Sequence, residues 1–134
     1  MQQSDPVARP VVQADDKPRD ICERTFAFSV RVVGLCQSLD GRPGVNATLA
    51  RQLLRAGTSI GANLEEAQAG QSRADFISKI SVALKEARET DYWLRLLEAT
   101  GIGPADQLRE VKGEAKELKR ILGAIPVSAK KKGP

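Results

Sequence analysis

Residues 51–67 read RQLLRAGTSIGANLEEA, and helical spacing sorts the residues in and around this stretch into three rows. The apolar row consists of Leu49, Leu53, Ala56, Ile60, Leu64 and Ala67. The row of small residues consists of Ala50, Gly57 and Gly61. The short polar row consists of Gln52, Arg55, Ser59, Asn63 and Glu66. Because a helix packed on one side only carries a strongly charged outer face, these rows predict a helix with neighbours on more than one side.

The composition is typical of a single helical domain. The chain has 134 residues, of which 41% are hydrophobic, 28% charged and only 4% aromatic. This length is enough to bury one core. No apolar run approaches the roughly 20 residues that a membrane-spanning helix needs, and the first residues lack the apolar segment of a secretory signal. We therefore expect a cytoplasmic protein with no membrane partner.

Helical patterns fill residues 20–125. Helix 1 has two apolar rows, Phe28, Val32, Leu35, Leu39 and Phe26, Val30, Val33. We expect Asn46 or Thr48 to cap helix 2 and Ser72 to cap helix 3. Helix 3 has a coiled-coil-like seam, formed by Phe76, Ile80, Ala83, Ala87, Thr90, Leu94 and Leu97. With short Gly- and Pro-rich connections, these patterns predict an all-α fold, an antiparallel up-down-up-down four-helix bundle.

The two ends of the chain differ from the bundle in composition. Residues 1–19 are rich in Pro, Asp and Gln without periodicity, which predicts a flexible N-terminal arm. Pro126 is expected to stop helix 4, leaving residues 126–134 as a flexible basic tail. This tail contains Lys130, Lys131 and Lys132 and so carries much of the formal net charge of +4.

Polar residues recur on the facing sides of helices 2 and 3. If these helices form a hairpin that turns near residue 71, Arg55 lies opposite Glu86 and Glu89, with Trp93 at the end of the row. Arg suits bidentate pairing with carboxylates, and charges withdrawn from water need partners. The pattern predicts a structural polar network that fixes the helix register, formed by Gln52, Arg55, Ser59, Asn63, Lys79, Glu86 and Glu89.

The small residues of helix 2 ask for a separate explanation. Gly in a helix costs about 1 kcal/mol relative to Ala, so two glycines one turn apart indicate a close approach of another backbone. Two alternatives remain open. The approach is either made inside the bundle, or it is an oligomer contact through Ala50, Gly57 and Gly61.

The sequence offers little for catalysis. It has no histidine, which removes Ser-His and Cys-His pairs and His-based metal sites, and it has no Gly-rich phosphate loop. Glu86 and Glu89 form a carboxylate pair, but the ion pair with Arg55 is the simpler interpretation. Cys22 and Cys36 lie roughly 20 Å apart on one helix, too far to form a disulfide, and are expected to be small core residues. We expect no catalytic residue, metal, cofactor or small-molecule substrate.

Helix 4 carries one row of basic residues beside its apolar row. The members of this basic row are Arg109, Lys112, Lys116, Lys119 and Arg120. Such a row is either a solvated surface supported by salt bridges or a strip that contacts phosphates. Arg88 and Arg95, on the outer side of helix 3, are second-tier candidates. Without the lysine tail the chain is only mildly basic, so charge alone is weak support for nucleic-acid binding.

The segments QLLRA at 52–56 and SIGANLEEA at 59–67 resemble the bacterial four helix bundle protein family, first found in intervening sequences of 23S rRNA genes. SRADFI at 72–77 and ALKEARETDYWL at 83–94 are similar to its third helix. The resemblance implies an antiparallel bundle, in some members a homopentamer. It also points to a related group that serves reverse transcriptases as nucleic-acid-binding accessory factors. The family commonly has Glu-Gly where this chain has Glu66-Ala67, so helix 2 is expected to continue towards Gly70.

Two function hypotheses follow. The first is a non-catalytic homo-oligomer, a homopentamer if the resemblance holds, that binds RNA or DNA. Symmetry would then multiply a weak basic surface, with contacts from helix 4 and from Lys130, Lys131 and Lys132. The alternative is a protein-protein interaction scaffold with no nucleic-acid binding.

Overall fold

The computed structural model describes residues 20–39, 43–70 and 72–132, and the last seven of these by their backbone alone. It contains four helices: α1, Ile21–Ser38; α2, Val45–Ala69; α3, Arg73–Thr100; and α4, Ala105–Lys132. Across these described ranges there is no β-strand. The predicted arm at 1–19 lies outside the described residues.

The helices form an antiparallel four-helix bundle, as the sequence predicts. Each helix packs against its neighbours in the chain, and α1 closes the bundle against α4. The closure is antiparallel, because Arg24 near the start of α1 bonds Glu114 in α4, whereas Ser38 at the end of α1 bonds Gln107 near the start of α4. Among the described residues, no Cα atom of α1 lies within 8 Å of one in α3, and none of α2 lies within 8 Å of one in α4, so side chains fill the centre of the bundle.

The core is built from the predicted apolar rows. In α2, the row from Leu53 to Ala67 is buried, while Leu49 at its start is partly buried. In α3, the seam from Ile80 to Leu97 is buried. The seam includes the hydroxyl of Thr90, which donates to the carbonyl oxygen of Glu86 at 2.7 Å, so its burial leaves no orphan polar atom. The alternation of three- and four-residue steps therefore identifies the packed face correctly.

The helix ends are set by local chemistry. The side chain of Ser72 caps α3 by accepting from the backbone N–H of Asp75 at 3.1 Å, as predicted. Gly101 ends α3 with φ of 71°, a conformation that favours glycine. The start of α2 differs from the prediction, since neither Asn46 nor Thr48 is its cap. Gly44, with φ of 132°, turns the chain so that α2 begins at once, and its carbonyl accepts from the N–H of Thr48.

The end of α4 also differs from the prediction. The helix continues to Lys132, past Pro126, where we expected it to stop and a tail at 126–134 to begin. A proline removes one helical hydrogen bond, but its ring fixes φ near the helical value, so it does not prevent the backbone from continuing as a helix. The side chains of residues 126–132 lie outside the described part, as do Gly133 and Pro134 entirely.

The small residues of α2 pack against α1 of the same chain. A Cβ at Gly57 would lie 2.9 Å from both methyl carbons of Val32, and one at Gly61 would lie 3.3 Å from the carbonyl oxygen of Thr25. The carbonyl of Ala50 accepts from the thiol of Cys36 at 3.4 Å. Of the two alternatives, the close approach is thus the one inside the bundle. The predicted oligomer contact through Ala50, Gly57 and Gly61 is therefore wrong for Gly57 and Gly61, because both are buried against α1, whereas Ala50 is only partly buried.

Candidate nucleic-acid interface on α3 and α4

Most of the predicted basic row of α4 is engaged in ion pairs. Two of its cations reach across to α3: Lys112 pairs with Glu98 at 2.6 Å, and Lys119 pairs with Asp91 at 3.2 Å. Two others pair within α4, Arg109 with Asp106 and Arg120 with Glu117. Lys116 is exposed and has no ion pair in the part of the chain described. The row is therefore a network of surface ion pairs and not a strip of free charges.

Two of these ion pairs lower the pKa of their carboxylate. The hydrogen bond from Lys112 lowers the pKa of Glu98, and the charges of Lys112, Arg109 and Lys116 lower it further. The hydrogen bond from Arg120 likewise lowers the pKa of Glu117. The lowered pKa of Glu98 shows that several cations of the row act on one point of the α3–α4 edge.

Asp91 connects the basic row of α4 to α3. Its side chain is only 6% exposed, and one carboxylate oxygen accepts from both the Arg95 Nε and the Lys119 Nζ, each at 3.2 Å. The other oxygen, Oδ1, is buried without a hydrogen-bond partner. A buried carboxylate requires such pairing, so Asp91 holds one cation of each helix at the same edge. Sequence reasoning missed it, although an Asp directly after the seam residue Thr90 was a usable signal.

Arg88 and Arg95 extend this surface along α3. Arg88 is exposed and precedes Tyr92 by one helical turn, while the guanidinium carbon of Arg95 lies 5.8 Å from the centre of the Tyr92 ring. We define the α3–α4 face by seven cations and one aromatic residue. They are Arg88, Arg95, Arg109, Lys112, Lys116, Lys119, Arg120 and Tyr92. The second-tier candidates therefore share one surface with the first, and Tyr92 is a member that the sequence analysis missed.

The polar network lies on a different edge, between α2 and α3. Arg55 pairs with Glu86 at 3.3 Å and also with Glu89, while Gln52 accepts from Arg55 at 3.4 Å. The indole of Trp93 donates to Glu89 at 3.1 Å. This is the register that a hairpin turning near residue 71 predicts. The carboxylates of Glu86 and Glu89 both pair with Arg55, and Glu89 also accepts from an N–H group. This arrangement is typical of an ion pair with a structural role.

The network is shorter than predicted. The side chains of Ser59 and Asn63 donate to carbonyl oxygens one turn earlier in α2, those of Arg55 and Ser59, at 2.7 and 2.8 Å. Lys79 makes no ion pair or hydrogen bond among the described residues. Short polar side chains in a helix often form hydrogen bonds with carbonyl oxygens of the same helix. Ser59 and Asn63 therefore do not need a hydrogen-bond partner from α3. The network is thus centred on Arg55, and Lys79 is not part of it.

Within the described ranges, no group of three or more Cys, Asp or Glu side chains is placed to hold a metal ion. Both thiols are free, and burial raises the pKa of Cys36 to about 11. Burial, followed by the charge of Glu65, raises the pKa of Cys22. Both thiols are therefore protonated near neutral pH, the opposite of what a reactive cysteine requires.

The model of the 23S rRNA-intervening sequence protein family matches residues 17–124 of this chain. The chain belongs to this family. It is also similar to a solved crystal structure from Bacteroides thetaiotaomicron, described as a protein of unknown function from the S23 ribosomal protein family. The two chains are 41% identical with a TM-score of 0.72, over 79% of this chain and 97% of that one. A comparison with curated proteins finds no match.

In this member of the 23S rRNA-intervening sequence protein family, α1 and α2 present a second surface of a different kind. Phe26 is 66% exposed, and Val33 and Leu54 are 39% and 38% exposed. We call Phe26 and Val33, with the half-buried Val30, the α1 apolar face, whereas Leu54 is an exposed apolar residue of α2. Phe26, Val30 and Val33 form the second apolar row of helix 1, and exposed apolar surface of this kind often marks a contact with another molecule. Among the helices described, none offers the unbroken apolar length that a bilayer crossing requires.

Proposed function

We propose that this protein is a non-catalytic, self-associating accessory protein that binds nucleic acid through the α3–α4 face. The observation that carries the proposal is the gathering of cations from two helices on one edge, where Asp91 brings Arg95 and Lys119 together. Lysine and arginine bind the phosphate backbone without regard to sequence, and this term dominates non-specific affinity. The last residues of α4 remain candidate phosphate contacts because they are positively charged. They are Lys130, Lys131 and Lys132.

The ion pairs of this face are compatible with phosphate binding. The side chains of Arg109 and Arg120 are 69% and 70% exposed, so their pairs lie in water, where the attraction is weak and screened by salt. A phosphate exchanges with a carboxylate at such a site at little net cost. Arg88 and Lys116 need no exchange, because neither makes an ion pair within the described residues. These two cations are therefore the first ones to test.

Self-association is the second part of the proposal, and the α1 apolar face supports it. Gly57 and Gly61 pack against α1 of the same chain, so the contact with a second copy is proposed at the exposed Phe26, Val33 and Leu54 instead. An assembly would carry one α3–α4 face on each subunit. Several weakly charged faces that bind the same nucleic acid together would give a higher overall affinity than one face alone. A homo-oligomer, and a homopentamer if this chain follows the members that it resembles, is the expected state. Light scattering measures the subunit number directly.

The test is a titration of labelled single- and double-stranded RNA and DNA, followed by fluorescence anisotropy at several salt concentrations. Micromolar or tighter binding that falls steeply with salt is expected. The variants Arg88→Gln and Lys116→Gln should weaken binding and flatten the salt dependence by roughly one unit of slope each. The matched control is Lys79→Gln, which removes an unpaired cation from a different edge and should change neither quantity. An affinity independent of salt contradicts the proposal.

One observation favours the alternative of a protein-protein interaction scaffold with no nucleic-acid binding. Four of the five predicted cations of α4 already have carboxylate partners, which is the arrangement of a solvated structural helix. The absence of nucleic-acid binding at low salt, together with a stoichiometric protein partner that survives nuclease treatment, would decide for the scaffold.

A further inference from the structure

Tyr92 is an exposed aromatic residue whose ring contacts two neighbouring side chains. It is 49% exposed, and its ring packs T-shaped against that of Trp93, with centroids 5.1 Å apart and planes at 75°. The guanidinium of Arg95 lies over the same ring. Arg95 is itself tied to the buried carboxylate of Asp91. The ring is thus supported by two neighbours while about half of it faces solvent.

Two arginines of α3 lie on either side of Tyr92 along the helix. Arg88 lies one helical turn before Tyr92, and Arg95 lies just after it. Asp91 brings Lys119 of α4 to the same edge. Proteins that bind single-stranded nucleic acid combine these two elements: cations that follow the phosphates and aromatic rings on which the bases stack. In a duplex the base faces are already stacked, so a side-chain platform gains most from unpaired bases.

We infer that Tyr92 is a stacking platform for an unpaired nucleobase, so that the α3–α4 face binds single-stranded RNA or DNA in preference to duplex. This inference rests on the proposed function and specifies its ligand. The cations hold the phosphates of the strand, and the exposed part of the Tyr92 ring receives a base. The hydroxyl group plays no necessary part, because stacking uses the ring alone.

The experiment compares a labelled single strand, a duplex of the same length and an abasic strand with the same number of phosphates. All three are titrated with the full chain. The unmodified chain should bind the base-containing single strand most tightly. Tyr92→Leu should weaken that binding by roughly five- to a hundredfold and leave the abasic strand nearly unaffected. Tyr92→Phe is the matched control, since it keeps the ring and should keep the affinity.

Intrinsic fluorescence provides a second readout at the same place. The chain has one tyrosine and one tryptophan, and these are the two rings in contact. A base stacked on Tyr92 lies next to Trp93 and should quench its emission, whereas the abasic strand should not. The quenching should persist in Tyr92→Phe and disappear in Tyr92→Leu. Circular dichroism verifies that each variant retains its helices.

The possible failures are distinguishable. If the unmodified chain binds no nucleic acid at low salt, the proposed function and this inference both fail. If it binds in a salt-dependent manner but with equal affinity for the base-containing single strand, the abasic strand and the duplex, the inference alone is overturned. That comparison uses the unmodified chain and does not depend on how any variant folds.

Discussion

The two helix hairpins of this bundle are joined in opposite ways. Between α1 and α2, Gly57 and Gly61 let the helices approach closely: a methyl group at Gly57 would collide with Val32, and one at Gly61 would be tight against Thr25. Between α3 and α4, long charged side chains span the edge, as Lys112 does to reach Glu98. The α1–α2 edge is close-packed because its glycines have no side chains. The α3–α4 edge is bridged by long charged side chains.

This difference separates the structural part of the molecule from its proposed functional part. A close-packed edge tolerates no added atoms and contributes to stability through packing. An edge closed by exposed ion pairs contributes little stability, but its cations are able to exchange partners. Substitutions at the α1–α2 edge should therefore act on folding, and those at the α3–α4 edge should act on binding.

The largest expected effect is at Gly57. Gly57→Val places a branched side chain against Val32, which is fully buried and stiff about its own χ1. Because overpacking of this kind has no room to relax, the free energy of unfolding should fall by about 3 kcal/mol, as measured by urea denaturation. Adding Val32→Ala should restore part of the loss, since the two sites share one space.

A matched control lies on α4. A Cβ at Gly113 meets no atom within 4 Å, so Gly113→Ala introduces no collision. It should raise the free energy of unfolding by about 0.5–1 kcal/mol, because alanine restricts the unfolded chain and favours the helix. Equal effects of the two glycine substitutions would show that the contact with α1 is not the reason for Gly57.

An intermediate effect is expected at Asp91. Asp91→Asn removes the charge that holds Arg95 and Lys119, whose side chains are 57% and 36% exposed and able to turn towards water. The free energy of unfolding should fall by about 1.5 kcal/mol, the lower end of the range for hydrogen bonds to a charged group, because both cations reach water when released. Nucleic-acid affinity should rise, and its salt dependence should steepen by roughly one to two units of slope, because two cations are released. An unchanged slope would mean that these cations do not contact phosphate.

The smallest effect concerns Glu98. Lys112 lowers the folded-state pKa of Glu98 below its unfolded value, so the pair stabilises the fold above the ordinary glutamate pKa of about 4.3. That contribution is lost as the pH falls through the lowered folded pKa. Glu98→Gln should therefore reduce the loss of stability on acidification between about pH 5 and pH 3. If Glu98→Gln leaves the acid denaturation curve unaltered, the pair of Glu98 with Lys112 does not contribute to stability.

Much of the bundle could be predicted from local pattern. The apolar rows identified the buried faces of α2 and α3, and the turn near residue 71 placed Arg55 opposite Glu86 and Glu89. These predictions succeed because helical geometry is regular, so spacing along the chain becomes direction around the axis. Asp91 and Tyr92 were missed, although the position of Asp91 directly after the seam residue Thr90 was a usable signal. Which cation of α4 meets Asp91 depends on the rotation of α3 against α4, and no local pattern encodes that rotation.

The sequence by itself determined the presence of four helices, the packed faces of α2 and α3, the Ser72 cap and the absence of histidine chemistry, since each depends on residue type and helical period alone. Tertiary structure decided which of the two apolar rows of α1 is buried and which leaves Phe26 exposed. It also decided that Gly57 faces α1 and that the cations of α3 and α4 share one edge. The physical reason is that periodicity defines the faces of a helix, whereas the packing of several helices chooses the neighbour of each face.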